Sequence, residues 1–149
     1  PTAALADAVA TEWQEAPEKV EPRAMPLTGL ANAGIDRVAP ERAAFAAGLA
    51  RYAASDLLCY RADSPAALVA RQAERWDPLL LWARRRFDVD FIVTSGVSPV
   101  DQSEDTLARL EQAVAIRDPF ELAGLSPLVT VGGSLIAGLA VLEEAVDVN

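Results

Sequence analysis

At four candidate helix starts in this chain a residue that caps helices stands directly before a proline: Ser64-Pro65, Asp77-Pro78, Asp118-Pro119 and Ser126-Pro127. A short polar side chain can accept from the free amides of a first helical turn. Proline suits the next position, because its fixed φ is helical and its missing N–H is not needed there. Asp118-Pro119-Phe120-Glu121 also sets a Glu three residues after the cap, the spacing of a capping box. The chain is thereby cut into helices joined by short loops. Alanine is very abundant and isoleucine scarce, which favours helix over sheet.

Periodicity places the helices. The first is predicted over Ala3 to Glu15, with Leu5, Val9 and Trp13 in one stripe. An acidic, proline-bearing loop from Ala16 to Pro26 leads to a second helix over Leu27 to Val38, whose stripe is Leu27, Leu30, Ala31, Ile35 and Val38. A third over Pro40 to Ala54 sets Phe45, Leu49 and Tyr52 on one side, and its alanines permit close packing. Asp56 to Tyr60 is a short apolar run, either extended or a helix end. Pro65 to Arg86 reads as a long helix, bent or broken at Pro78. Arg84-Arg85-Arg86 closes it, where positive charge suits the C-terminal end of the helix dipole; the other reading of the triplet is a patch for an acidic surface. Val89 to Thr94 is the strand candidate, ended by Gly96 and Pro99. Ser103 caps a helix over Glu104 to Arg117, a short helix covers Pro119 to Ala123, and the last runs from Pro127 to Ala145. No repeat is present. The expected fold is mainly α: a multi-helix, bundle-like domain over residues 1–149 with at most one small β element around residues 89–94.

Composition narrows the function. With 52% apolar residues the 149-residue chain can build a core without disulfides or metals. A net charge of −9 and a pI near 4.4 argue against a nucleic-acid binder and against docking on anionic membranes. The charge either keeps the protein soluble or steers it toward a basic partner. There is no histidine, which removes Ser-His-Asp and Cys-His arrangements and the usual metal ligands. The one cysteine, Cys59, lies in an apolar run and reads as a small buried hydrophobe. No signal peptide or Arg-rich transit segment is visible at the start. Leu122 to Leu142 carries no charge and is long enough to cross a bilayer, but Ser126-Pro127, Gly132-Gly133 and the flanking Glu121, Glu143 and Glu144 make it a loop and a buried helix instead.

Possible chemistry is thin. Asp88 with Asp90 and Glu143 with Glu144 are paired carboxylates, read as solvated surface groups. Gly132-Gly133-Ser134 resembles part of a phosphate loop but lacks the full pattern; Gly133, Ala137, Gly138 and Ala140 read better as a small-residue packing face. Trp76 and Trp82 straddle Asp77-Pro78, as core or as interaction anchors. Neither a cofactor motif nor a nucleophile–base pair is expected.

Several segments together resemble a known family: Glu12-Trp13, Met25-Pro26-Leu27-Thr28, Leu30-Ala31-Asn32, Ile35-Asp36-Arg37-Val38, Cys59-Tyr60-Arg61-Ala62, Gln72 with Trp76-Asp77-Pro78-Leu79-Leu80, and Gly133-Ser134-Leu135. Their order resembles the assembly chaperone that binds the alpha subunit of the catalytic head of F-type ATP synthase, found in mitochondria and alphaproteobacteria. The resemblance implies a helical core lacking the family's N-terminal β-rich domain and its C-terminal acidic, Trp-Gly-bearing segment. It departs at Leu81, where many members carry an acidic residue.

The resemblance further implies a non-enzymatic protein without cofactor. It would hold the free alpha subunit, cover apolar surface that would otherwise aggregate, and yield to the beta subunit. A monomer in the bacterial cytoplasm is expected, or in the mitochondrial matrix if the source is eukaryotic. The alternatives are a small-molecule enzyme using carboxylates and Gly132-Gly133-Ser134, which two buried carboxylates facing one pocket would favour, and a permanent structural subunit of a complex. Partner contacts are expected among exposed members of these segments: Asn32 and Asp36 one helical turn apart, Arg61, Asp77 and Glu144. Each also has a structural reading, Asp77 as a cap, Asn32 as a hydrogen-bonder and Arg61 as half of an internal ion pair.

Overall fold

The computed structural model describes residues 2–146; residue 1 and residues 147–149, the two ends of the expected 1–149 domain, lie outside the described part. Among the described residues there are seven α-helices: α1 (Ala3–Gln14), α2 (Pro26–Ala33), α3 (Arg42–Ala50), α4 (Ala66–Phe87), α5 (Glu104–Ala115), α6 (Pro119–Gly132) and α7 (Leu135–Leu142). One two-stranded parallel sheet joins β1 (Tyr60–Arg61) to β2 (Thr94–Ser95), with Tyr60 opposite Thr94 and Arg61 opposite Ser95. The fold is mainly α.

The short α7 is the hub. Leu135, Ile136, Leu139 and Ala140 are fully buried, and α6 and α4 pack on it. The core continues through Leu122, Leu125 and Val129 of α6, and Leu110 and Val114 of α5. Each such side chain contributes about 1.5–3 kcal/mol by leaving water. α3 bridges α5 and α6, and α2 lies on α6. α1 reaches the rest mainly through α2 and buries no side chain. It is fixed by Glu12, whose two carboxylate oxygens accept from the Leu27 and Thr28 amides at 2.8 and 2.7 Å. Those amides belong to the open first turn of α2, so the carboxylate is an N-cap supplied from another helix.

Only one of the four cap–proline pairs behaves fully as expected. Asp118 caps α6 with a reciprocal capping box: its Oδ1 accepts from Phe120 and Glu121, and Glu121 Oε2 accepts from the Asp118 amide. Ser64-Pro65 precedes α4 without a side-chain cap. Pro78 and Pro127 lie inside α4 and α6. A proline inside a helix costs about 3 kcal/mol. The buried residues that follow each, Leu80 and Ala83 after Pro78 and Val129 after Pro127, keep the helix going because stopping would expose them. The short helix expected at Pro119–Ala123 and the start of the last helix therefore form one element. The break falls instead at Gly133, left-handed at φ +66°, after which Ser134 caps α7 by accepting from the Ala137 amide. Leu122 to Leu142 is thus a hairpin, and among the described residues no helix is long and apolar enough to cross a membrane.

Two other differences have local causes. The second helix ends in a π turn, Gly34–Val38, whose extra residue turns Val38 inward and leaves Ile35 exposed, outside its predicted stripe. The expected strand at Val89–Thr94 is extended, with Val89 and Phe91 inward, yet only Thr94 joins the sheet. Side chains take the place of a neighbouring strand. Gln102 accepts from the Ile92 amide and donates to its carbonyl, both at 2.9 Å, and the Thr106 hydroxyl does the same for Asp90 at 3.2 and 2.8 Å. With those groups satisfied, no second strand is required.

The small-residue face contracts to one critical position, Gly138. A Cβ there would stand 2.8 Å from Val129 Cγ2 and 3.0 Å from Leu125 Cδ1. Overpacking of this kind costs about 1–3 kcal/mol, and alanine regains about 1 kcal/mol in helix propensity. Gly138→Ala is expected to lower stability by up to about 2 kcal/mol in urea unfolding, and Gly138→Val to prevent folding.

Candidate functional site

The segments that carry the family resemblance meet where β1 passes α4. Arg61 donates from Nε to the Leu58 carbonyl at 2.7 Å. Its guanidinium lies 5.3 Å from the Trp76 ring centre, and Nη2 sits 2.8 Å from Asp77 Oδ1, out of line for a good hydrogen bond. The Ala62 amide donates to Gln72 Oε1 at 2.8 Å. Arg61 and Ala62 are thereby fastened to one face of α4. Arg61 is held in place with its side chain 11% exposed, while Asp77 is 63% exposed and faces outward. Asp77 is no cap; it is the counterion of Arg61.

The five residues expected at an interface lie in three places. Arg61 and Asp77 form the ion pair. Asn32 on α2 and Asp36 on the π turn are exposed, and among the described residues neither side chain has a hydrogen bond or ion pair. Ile35 lies between them, 56% exposed. Glu144 is exposed beyond α7 in a left-handed conformation, φ 54°. Trp76 and Trp82 are both half-buried against the core, Trp82 edge-on to Phe87 at 5.4 Å.

The carboxylates divide by environment. Asp88 and Asp90 are solvated as expected, each with an arginine nearby, Arg109 and Arg84. Glu143 is not: its side chain is 14% exposed and accepts from both Arg86 and Arg117. Burial raises its pKa, but the two guanidinium groups outweigh that and hold it below the ordinary 4.5. Arg86 and Arg84 thus brace the end of α4, leaving Arg85 outward. Spacing could not reveal the triad, since its members stand 26 and 57 residues apart.

Asp56 was likewise invisible as a site. It is fully buried, accepts from Leu58 and Ile136 amides at 3.0 Å each, and so caps the first turn of α7. Burial drives its pKa up, while the Ile136, Ser134 and Leu58 donors pull the other way. The Ile136 amide that a phosphate loop would leave open is occupied, and Ser134 is buried. Asp56 and Glu143 lie on different elements, each spent on structure. Burial, with the Asp56 charge, pushes the Cys59 thiol up to about 12. Among the described residues no group of three His, Cys, Asp or Glu could hold a metal ion.

Residues 1–84 match the family profile described as ATP12 chaperone protein. The fold superposes on Atp12 from Paracoccus denitrificans, and on a point mutant of it, with TM-score 0.94 and 51% identity; the match covers 99% of this chain and 63% of that one. A candidate chaperone from Agrobacterium tumefaciens matches with TM-score 0.92 and 38% identity over 99% of this chain and 56% of its own. The chain spans less than two thirds of the length of these proteins.

Two outcomes follow from the local chemistry. Cys59 is expected to resist a thiol reagent at pH 8 in the native protein and to react fully once unfolded; reaction at equal rates in both states would contradict the burial. Glu143, with its pKa lowered on folding, stabilises the protein above its unfolded pKa, and that contribution is lost as pH falls through its lower folded value. Glu143→Gln should therefore cost about 1–2 kcal/mol at pH 7. The gap from wild type should close in urea titrations run below the ordinary carboxylate range.

Proposed function

Since the chain belongs to the ATP12 chaperone family, we propose that it is an assembly chaperone of F-type ATP synthase which holds the unassembled alpha subunit and releases it to the beta subunit. The observation that carries this reading is a shared fold over nearly the whole chain at 51% identity to Atp12. The geometry supports binding over chemistry. Its most constrained carboxylates, Asp56 and Glu143, hold helices together, and its thiol stays protonated. Its outer surface offers half-exposed apolar side chains beside polar ones, as Ile35 lies between Asn32 and Asp36. An apolar anchor with a polar rim is the composition of a reversible interface.

On this reading the protein acts as a monomer, without cofactor, in the cytoplasm of an alphaproteobacterium. Asn32, Asp36 and Glu144 are the partner-binding residues with free side chains. Arg61 and Asp77 contribute through the outward carboxylate of their pair. Covering the client's pairing surface suppresses its aggregation, and a moderate affinity lets the beta subunit displace the chaperone.

Dilution of urea-unfolded alpha subunit into buffer tests this. With the protein present, light scattering should fall and a discrete complex should elute in size exclusion, with no such effect on the beta subunit. Absence of both effects would remove the reading. The combined D36K and E144K variant should weaken the complex with an unchanged melting temperature; an equal loss of stability would return those residues to a structural role.

A further inference from the structure

α4 carries five arginines against two acidic residues, in a chain whose net charge is −9. Arg84 and Arg86 are engaged with Asp90 and Glu143. Arg71, Arg75 and Arg85 are exposed, and among the described residues none has an ion-pair partner. These three fall in register: Leu68, Arg71, Arg75, Pro78, Trp82 and Arg85 alternate by three and four residues, which places them along one face of the helix. Two shallow grooves follow that face. One is lined by Leu68, Arg71, Gln72, Arg75 and Trp76. The other is lined by Pro78, Leu81, Trp82, Arg85 and Arg86. Leu68 and Leu81 are 42% and 46% exposed.

We propose that this stripe of α4 is a docking surface for an acidic segment of the client that also carries apolar side chains. The inference rests on the chaperone reading above and specifies the chemistry of one contact within it. Arginine binds carboxylates through a planar fork and stacks on aromatic faces, so unpaired arginines alternating with Trp82, Pro78 and Leu68 fit a segment in which acidic and apolar residues alternate. The chain's overall negative charge would repel such a segment at long range. Within the Debye length of about 8 Å at physiological salt, the arginines dominate, so the acidic segment is drawn to this stripe and to no acidic face. The grooves then take its apolar side chains. The stripe complements the acidic candidates Asp36 and Glu144, so the client would meet surfaces of both signs.

The test uses the 149-residue chain and urea-unfolded alpha subunit. Combining R71E, R75E and R85E should raise the concentration needed for half-suppression of scattering by about tenfold or more, and Leu68→Asp should weaken suppression as well. Wild-type binding should fall with added salt, and melting temperatures should stay unchanged because every altered side chain is exposed. The neutral set R71Q, R75Q and R85Q should show the same loss to a smaller degree. Full suppression by all variants would overturn the stripe and leave the chaperone reading standing. Failure of the wild type to suppress scattering would overturn both. Wild-type binding to phosphatidylserine vesicles, abolished by the triple reversal, with client binding intact would assign the stripe to lipid. Salt-sensitive dimerisation in sedimentation velocity, lost in the same variant, would assign it to a second copy.

Discussion

The carboxylate of Asp56 sits where no water reaches it, and three parts of the chain are arranged around it. One oxygen accepts from the Leu58 amide and the other from Ile136, 80 residues further on, while the Leu57 amide donates to the Gly133 carbonyl beside it. An uncompensated buried charge costs several kcal/mol. Here backbone donors and the positive end of α7 offset part of that cost. The consequence runs outward along the chain. With Leu57–Cys59 tied to the hub helix, β1 leaves in a fixed direction, Arg61 reaches Trp76 and Asp77, and the long α4 is set at a defined angle to the core. The outer face of α4 is therefore positioned by a group buried on the opposite side of that connection.

A second pattern recurs. Where a backbone segment lacks a regular partner, a side chain from elsewhere supplies one: Glu12 at the start of α2, Gln102 and Thr106 along residues 90–92, and Arg42 at the Ala115 and Arg117 carbonyls. A buried amide or carbonyl must be satisfied by something. Long polar side chains do this without requiring another strand, which is how a mainly helical protein keeps an extended stretch against its core. The recognised family segments are largely such fasteners. Cys59 through Ala62 with Gln72, Trp76 and Asp77 form a joint between elements, and Glu12 forms another.

Much of the fold was legible in the sequence. Helix periodicity and cap residues located nearly every helix within a few residues, and the mainly helical class followed from them. Pro78 and Pro127 misled because a local rule about free amides yields to apolar residues buried beyond the break. The strand at residues 89–94 misled because β-propensity reports an extended backbone, not what pairs with it. Glu143 read as a surface group because its two arginines lie far away in sequence, and Asp56 gave no signal at all, since one acidic residue beside an apolar run resembles any loop. The candidate contact residues were legible as exposed or ion-paired positions, and the separation of Asn32 and Asp36 from Arg61 and Asp77 became visible only once the helices were packed.

The attachment of α1 has a consequence for how the protein opens. Because that helix buries no side chain fully, its departure is resisted only by the Glu12 carboxylate on two amides, the half-buried Leu5, Ala8 and Val9, and a few contacts with α2. The hub, by contrast, comes apart only when the whole core does. Two free-energy scales therefore coexist in one chain: a small one for lifting the amino-terminal arm, and the full unfolding energy for everything around α7. Lifting the arm uncovers the first turn of α2 and takes the Glu12 carboxylate away from its two amides. The amino-terminal arm is thus tied to the body by one capping carboxylate and a thin apolar contact, not by the core.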